Sequence, residues 1–177
     1  MTTSVKNTIT ISLILSFCFG ILLQFAYELS NYNRFVGLFS PVNESMWEHL
    51  KLLFFPFLLF TIILYFVIKE NSQNILFANA YSITIGMLLA IILQYTVTGA
   101  LGISSLTVEL TTLVLCNMAT YILCGYFIKN NKYSINNSYG FIFFIILFLL
   151  FLVFSFRPPR IPLFQDSNTK SFGIIHQ

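Results

Sequence analysis

The chain has 177 residues, of which 57% are hydrophobic and only 8% charged, and phenylalanine alone occurs 21 times. A water-soluble domain carries about a quarter charged residues because its surface must face water. Nine Lys and Arg with six Asp and Glu, gathered between long apolar runs, exclude such a domain, a disordered chain and a nucleic-acid binder. They predict an all-α integral membrane protein in contact with the lipid bilayer.

A spanning helix needs about 20 mainly apolar residues, and five segments qualify in chain order: 8–28, 41–68, 75–98, 106–128 and 139–156, followed by a tail over 157–177. One bundle of these helices, a single transmembrane domain, is the expected architecture. The first run follows Lys6 as a signal peptide's would, but no small-x-small cleavage site ends it and it is long enough to span, so it reads as a helix. The second is apolar only from Leu52, yet Ser40-Pro41 offers a side-chain cap followed by proline at the first helical position. A helix from Pro41 to Ile68 would be about 42 Å long, with a kink near Pro56, which lacks a backbone donor. Gln94, Tyr95, Thr96 and Thr98 end the third span, and Glu109 lies about one turn into the fourth. Cys18, Cys116 and Cys124 fall inside apolar runs, without the spacing of a disulfide framework or thiolate zinc site, and read as small packers.

Five spans place the N-terminus and the second and fourth loops on one side, and the first and third loops with the tail on the other. Lys6, Lys69, Lys129 and Lys132 lie on the first side, and Arg34, Lys51, Arg157, Arg160 and Lys170 on the second, so the positive-inside rule does not separate them by count. The third loop carries no basic residue. That favours a cell-membrane protein with its N-terminus cytoplasmic and its tail extracytoplasmic.

The second side also holds Glu28, Glu44, Glu48, Glu109 and Asp166, both histidines, His49 and His176, and the polar span ends at Gln24, Tyr27 and Gln94 to Thr98. Ionisable groups at membrane depth are costly and face a bundle interior or a wet cavity. Glu28 and Arg34 read as headgroup-level charges, Glu109 as an interior, partnered one. The clustering predicts a polar vestibule opening to one face.

The densest stretch is 40–51. On a helix, residues three and four apart share a face, which puts Glu44, Glu48 and Lys51 on one stripe and Ser45, His49 and Leu52 on the next. Glu48 with Lys51 reads equally as an intrahelical ion pair, and Trp47 as an interfacial anchor. In the tail, Pro158, Pro159 and Pro162 exclude a helix over 157–164. Ile161, Leu163, Phe164, Phe172, Ile174 and Ile175 are too apolar for a solvated strand of chain, so the tail is expected to fold back as a lid. The candidate binding residues are Asn43, Glu44, Ser45, Glu48, His49, Glu109, Arg157, Arg160 and Asp166.

The segment Ser40-Pro41-Val42-Asn43-Glu44-Ser45-Met46-Trp47-Glu48-His49-Leu50-Lys51 resembles the signature of a bacterial family of small multi-spanning membrane proteins known only as a domain of unknown function. Pro162-Leu163-Phe164-x-Asp166, followed by Phe172-Gly173-Ile174, is similar to that family's C-terminal end. The resemblance implies that the two stretches act together; it brings no activity, substrate or catalytic residue.

Three function classes follow. A partner-docking subunit of a larger membrane assembly, or of a homo-oligomer, accounts for the composition without chemistry, although no Gly-x-x-x-Gly pairing motif is present. A binding or transport component would take a lipid headgroup, peptide or small polar solute between Glu109, Gln94 and residues 43–48. A hydrolase would use Glu44, Glu48 and His49 as acid–base groups, or zinc held by Glu48, His49, Asp166 and His176 with Glu44 as general base. Against zinc, neighbouring positions on a helix diverge by about 100°, and the His-Glu-x-x-His spacing is absent. No motif calls for a cofactor.

Overall fold

The computed structural model describes residues 3–68, 75–100, 102, 106–130 and 136–174. Among these residues six α-helices follow one another: α1 Thr3–Leu29, α2 Met46–His49, α3 Lys51–Ile68, α4 Ile75–Gln94, α5 Leu106–Lys129 and α6 Asn137–Phe156. Among the described residues five segments are long and apolar enough to cross a membrane: Val5–Leu29, Met46–Val67 (α2 and α3 in line), Ile75–Ala100, Val108–Lys129 and Asn137–Phe156. Among the described residues there is no strand, only an isolated bridge between Gln165 and Phe172. The chain is an all-α integral membrane protein.

Large apolar side chains such as Ile14, Leu22, Phe66, Ile122 and Phe141 are exposed, as helices that are apolar all round require of a lipid-facing surface. Helix α4 is central, packing on α3, α5 and α6, while α1 packs on α3 and α5. Its buried face mixes small residues, Ala78, Ala80, Ser82, Gly86 and Ala90, with Ile75, Asn79, Ile83 and Met87. In lipid, close packing and interhelical hydrogen bonds replace the hydrophobic force between helices, and single glycines supply the closest approaches. A methyl at Gly86 would overlap the Thr120 hydroxyl of α5, and one at Gly140 would overlap the Leu76–Phe77 backbone of α4. Gly20 of α1 faces the Leu52 carbonyl, 2.8 Å from where its Cβ would lie, and that is the carbonyl to which Pro56 has no N–H to offer.

Backbone and side-chain polar groups inside a bilayer need partners, and the bundle provides several across its helices, while Trp47 Nε1 and the Tyr121 hydroxyl are buried without one among the described residues. The Asn79 amide donates to Thr61 Oγ1 (3.2 Å) and its carbonyl accepts from the Cys124 thiol (2.8 Å), joining α4 to α3 and α5. Ser16 donates to Asn117 Oδ1 at 3.2 Å, joining α1 to α5. The start of α4 is capped from another helix, Leu76 N–H donating to Asn137 Oδ1 at 2.9 Å.

Three local expectations are corrected. The second span begins at Met46, not Pro41, with Ser45 as its N-cap: Ser45 is extended (ψ 151°) and its hydroxyl accepts the Glu48 N–H. The Ser40 hydroxyl instead donates back to the Val36 carbonyl at 2.9 Å, closing the turn before it. The third span continues to Ala100 through a π-helical turn, Tyr95–Ala100, in which the Thr96 and Thr98 hydroxyls donate to the Ile92 and Gln94 carbonyls. In the tail, Pro162–Phe164 forms a 3-10 turn with proline at its first position, a place where a missing N–H costs nothing.

Candidate functional site

The 30–45 segment, the end of α6 and the tail meet on one face of the bundle, and a buried ion pair holds them. Glu48 and Lys51 lie 2.6 Å apart with side chains 3% and 0% exposed. The Lys51 ammonium also donates to the Gly37 and Ser40 carbonyls, at 2.8 and 3.1 Å, which uses its three donors. Glu48 Oε2 accepts the Val42 N–H at 3.0 Å, and Oε1 accepts the Ser155 hydroxyl at 3.1 Å. Beside it Trp47 packs on Phe151 and Phe154 of α6 and on Phe164 of the tail, with ring centroids 4.7, 5.5 and 4.9 Å away.

The tail is latched by Asp166, which is 3% exposed. Its Oδ2 accepts the Glu44 N–H (2.9 Å), and Oδ1 accepts those of Asn168 (2.8 Å) and Thr169 (2.7 Å). The Ser167 hydroxyl donates to the Glu44 carbonyl, and the Asn43 amide to the Gly173 carbonyl, at 2.8 and 2.9 Å. Gly173 holds φ +72°, and a Cβ there would lie 3.2 Å from Pro158 Cδ, a conformation glycine adopts without strain. Burial pushes the Asp166 carboxyl up, but the N–H groups of Thr169, Glu44 and Asn168 outweigh it and hold it below the ordinary aspartate range. A carboxyl lowered in the folded state stabilises fully above its unfolded pKa, and the latch weakens as pH falls through the lowered value.

Between this tail turn, α2, the π-turn and the start of α5 lies a cavity of about 650 Å³, lined by Glu44, Met46, His49, Gln94, Tyr95, Thr98 and Glu109 and by tail residues including Gln165, Asp166 and Lys170. A crevice of about 50 Å³ shares Met46, His49, Gln94 and Glu109 and leads between Gln24 and the apolar side chains of Leu50, Leu53, Ala90 and Leu113. The mouth is therefore polar and the floor apolar. His49 Nε2 lies 3.0 Å from Glu44 Oε2, and the ligating atoms of Glu44, His49 and Glu109 all fall within 4.8 Å of one another. The hydrogen bond from His49 holds the Glu44 carboxyl below its usual range, against the opposing effect of burial. Three separate elements contribute: the cap segment, α2 and α5.

The expected residues thus divide. Glu44, His49, Glu109 and Asp166 line the cavity. Glu48 departs from the expected acid–base or metal-ligating role, because Lys51, Val42 and Ser155 already occupy both its oxygens; Glu48 and His49, adjacent in sequence, serve opposite ends of the site. Asn43 and Ser45 are buried structural groups, the Asn43 carbonyl accepting the Ser45 N–H at 3.0 Å. Arg157 and Arg160 are exposed, and the ion pairs among the described residues are Glu44–His49 and Glu48–Lys51. Glu28 and Arg34 are exposed too. His176 lies outside the described residues. Sequence reasoning passed over Ser155, which reaches Glu48 from the end of α6, did not place Lys170 in the site, which it enters with the folded tail, and passed over the buried Asn79 and Asn117, whose amides inside apolar runs were the available signal.

These features define a multi-spanning membrane protein with a polar cavity on one face, beneath its own C-terminal segment. The chain belongs to the family described as "Family of unknown function (DUF6512)", whose family model matches residues 1–174. No curated protein and no solved structure matches the chain significantly.

Proposed function

We propose that this protein is a membrane binding or transport component that receives a small, positively charged polar solute in a vestibule open to the outer face of the cell membrane. The cavity lined by Glu44, His49 and Glu109 carries the reading. Its volume of about 650 Å³ falls in the range of small-molecule pockets, about 300–1,000 Å³. Its charge favours a cation: Glu44, Glu109 and Asp166 line it against one ammonium, that of Lys170, which already donates to the Ser167 carbonyl at 2.9 Å. Between the membrane walls such a field concentrates ions of opposite sign. The π-turn, a geometry frequent at functional sites, turns Tyr95 and Thr98 into the lining.

The test is thermal unfolding of the detergent-purified chain with small solutes that differ in charge: choline, a neutral alcohol of similar size and a carboxylate. Choline is expected to raise the unfolding temperature in proportion to its occupancy, and Glu109→Gln to abolish the rise. Stabilisation by the carboxylate alone, or an unchanged response in Glu109→Gln, contradicts the reading.

A second reading, an acid–base hydrolase, is favoured by the His49–Glu44 hydrogen bond opening on the cavity. Of the hydrolase candidates in the described residues, Glu44 and His49 keep side chains in position for proton transfer. Glu48 is held by Lys51, and Asp166 by backbone N–H groups.

A further inference from the structure

We propose that Glu44, His49 and Glu109 form a three-ligand site for a divalent transition-metal ion of the zinc class, with its remaining coordination position open to the vestibule. This rests on the vestibule reading above and names the ion that the vestibule holds.

The first argument is ligand type. Zinc takes imidazole nitrogen and carboxylate oxygen together, at about 2.0–2.2 Å, whereas magnesium and calcium favour oxygen alone. Two such ligands on a tetrahedral ion stand about 3.3 Å apart. His49 Nε2 and Glu44 Oε2 are already 3.0 Å apart, and one oxygen of Glu109 completes a set within 4.8 Å.

The second is charge. Two carboxylates and one imidazole meet within 4.8 Å of one another at the polar mouth of the bundle. A divalent ion placed among them would be the largest local charge and would offset both carboxylates.

The third is placement. Glu44 is outside the helix, ahead of its Ser45 cap, and the tail fixes its backbone through Asp166 and Ser167. His49 comes from the last turn of α2 and Glu109 from the first turn of α5. Two of the three ligands, Glu44 and His49, thus sit on segments held by the latch and the Glu48–Lys51 pair, the kind of support a preorganised metal site uses. Three protein ligands with an open position is the arrangement of zinc sites that bind a further ligand or activate water.

The test uses the full chain, purified in detergent, stripped with chelator and titrated with zinc ion alone at pH 7 by calorimetry, with cobalt(II) absorption as a second readout. One zinc per chain is expected, with at least tenfold weaker binding and loss of the cobalt bands in both His49→Gln and Glu109→Gln. Both substitutions keep side-chain bulk, and size-exclusion elution of each variant reports its fold. Absence of stoichiometric zinc binding by the unaltered chain overturns the proposal, as does binding that neither substitution weakens. The vestibule has its own readout, labelling of Thr98→Cys by a water-soluble maleimide. Labelling without zinc binding removes the metal site and leaves the vestibule; failure to label removes both.

Discussion

Lys51→Ala is expected to lose about 3–5 kcal/mol of folding free energy, the cost of leaving a buried charge without its partner. The ammonium is fully buried and bridges Glu48 to the Gly37 and Ser40 carbonyls, so its removal strands a carboxylate and two carbonyls together. The loss is read from unfolding of the purified chain in a denaturing detergent series, and protease cleavage within 157–174 reports release of the tail. The double variant Glu48→Gln with Lys51→Met removes both charges at similar volume. It is expected to recover the part of the loss due to the stranded carboxylate, since replacing a buried pair by neutral groups is often close to neutral, while the Gly37 and Ser40 carbonyls stay without their donor. A Lys51→Ala chain within about 1 kcal/mol of the unaltered one would mean that solvent reaches the pair.

Gly140→Val is the second large effect. The added side chain would enter the Leu76–Phe77 backbone, which cannot move aside as a flexible side chain can, and α6 must separate from α4. Overpacking of this kind costs about 1–3 kcal/mol or more, here together with the cap that Asn137 lends to Leu76. Gly125→Ala is the matched control: the nearest atom to its Cβ is Ile9 Cδ1 at 3.8 Å. Alanine there is expected to be neutral or to stabilise by up to about 1 kcal/mol through helix propensity. Both are measured by the same unfolding series, and equal effects at the two glycines would contradict the helix packing described.

Much of the fold was legible because lipid leaves a chain few choices. Runs of about 20 apolar residues with clustered charges read as spans wherever they occur, and the alternation of sides then brought the 40–51 stretch and the tail together without any contact being known. Sequence placed the helix start at Ser40-Pro41 and passed over Ser45, whose spacing to Glu48 is that of a capping box and which marks the real start. That difference decides the site. With Glu44 inside the helix, Glu44 and His49, five apart, would lie on different faces; outside it, Glu44 is free to meet the imidazole at 3.0 Å. Sequence also hid Glu48's role, because a stripe of Glu44, Glu48 and Lys51 does not say whether Glu48 faces the vestibule or the protein interior. Glu109 was legible from its apolar neighbours alone. The π-turn was not, since Tyr95 to Ala100 carry no proline or other local signal that separates it from an α-helical end.

The existence of the vestibule supports everything argued about the site, and cysteine labelling tests it most directly. In a Cys18→Ser chain, with Cys116 and Cys124 buried, Gln94→Cys and Thr98→Cys are treated in intact cells with a membrane-impermeant maleimide, beside a lipid-facing control, Leu88→Cys. The vestibule predicts that both cysteines lining the cavity react from outside and that the control does not. Reaction only from the cytoplasmic side of inverted vesicles would reverse the orientation and leave the cavity in place. If neither cysteine reacts from either side, with the tail intact or truncated after Arg160, the vestibule is contradicted.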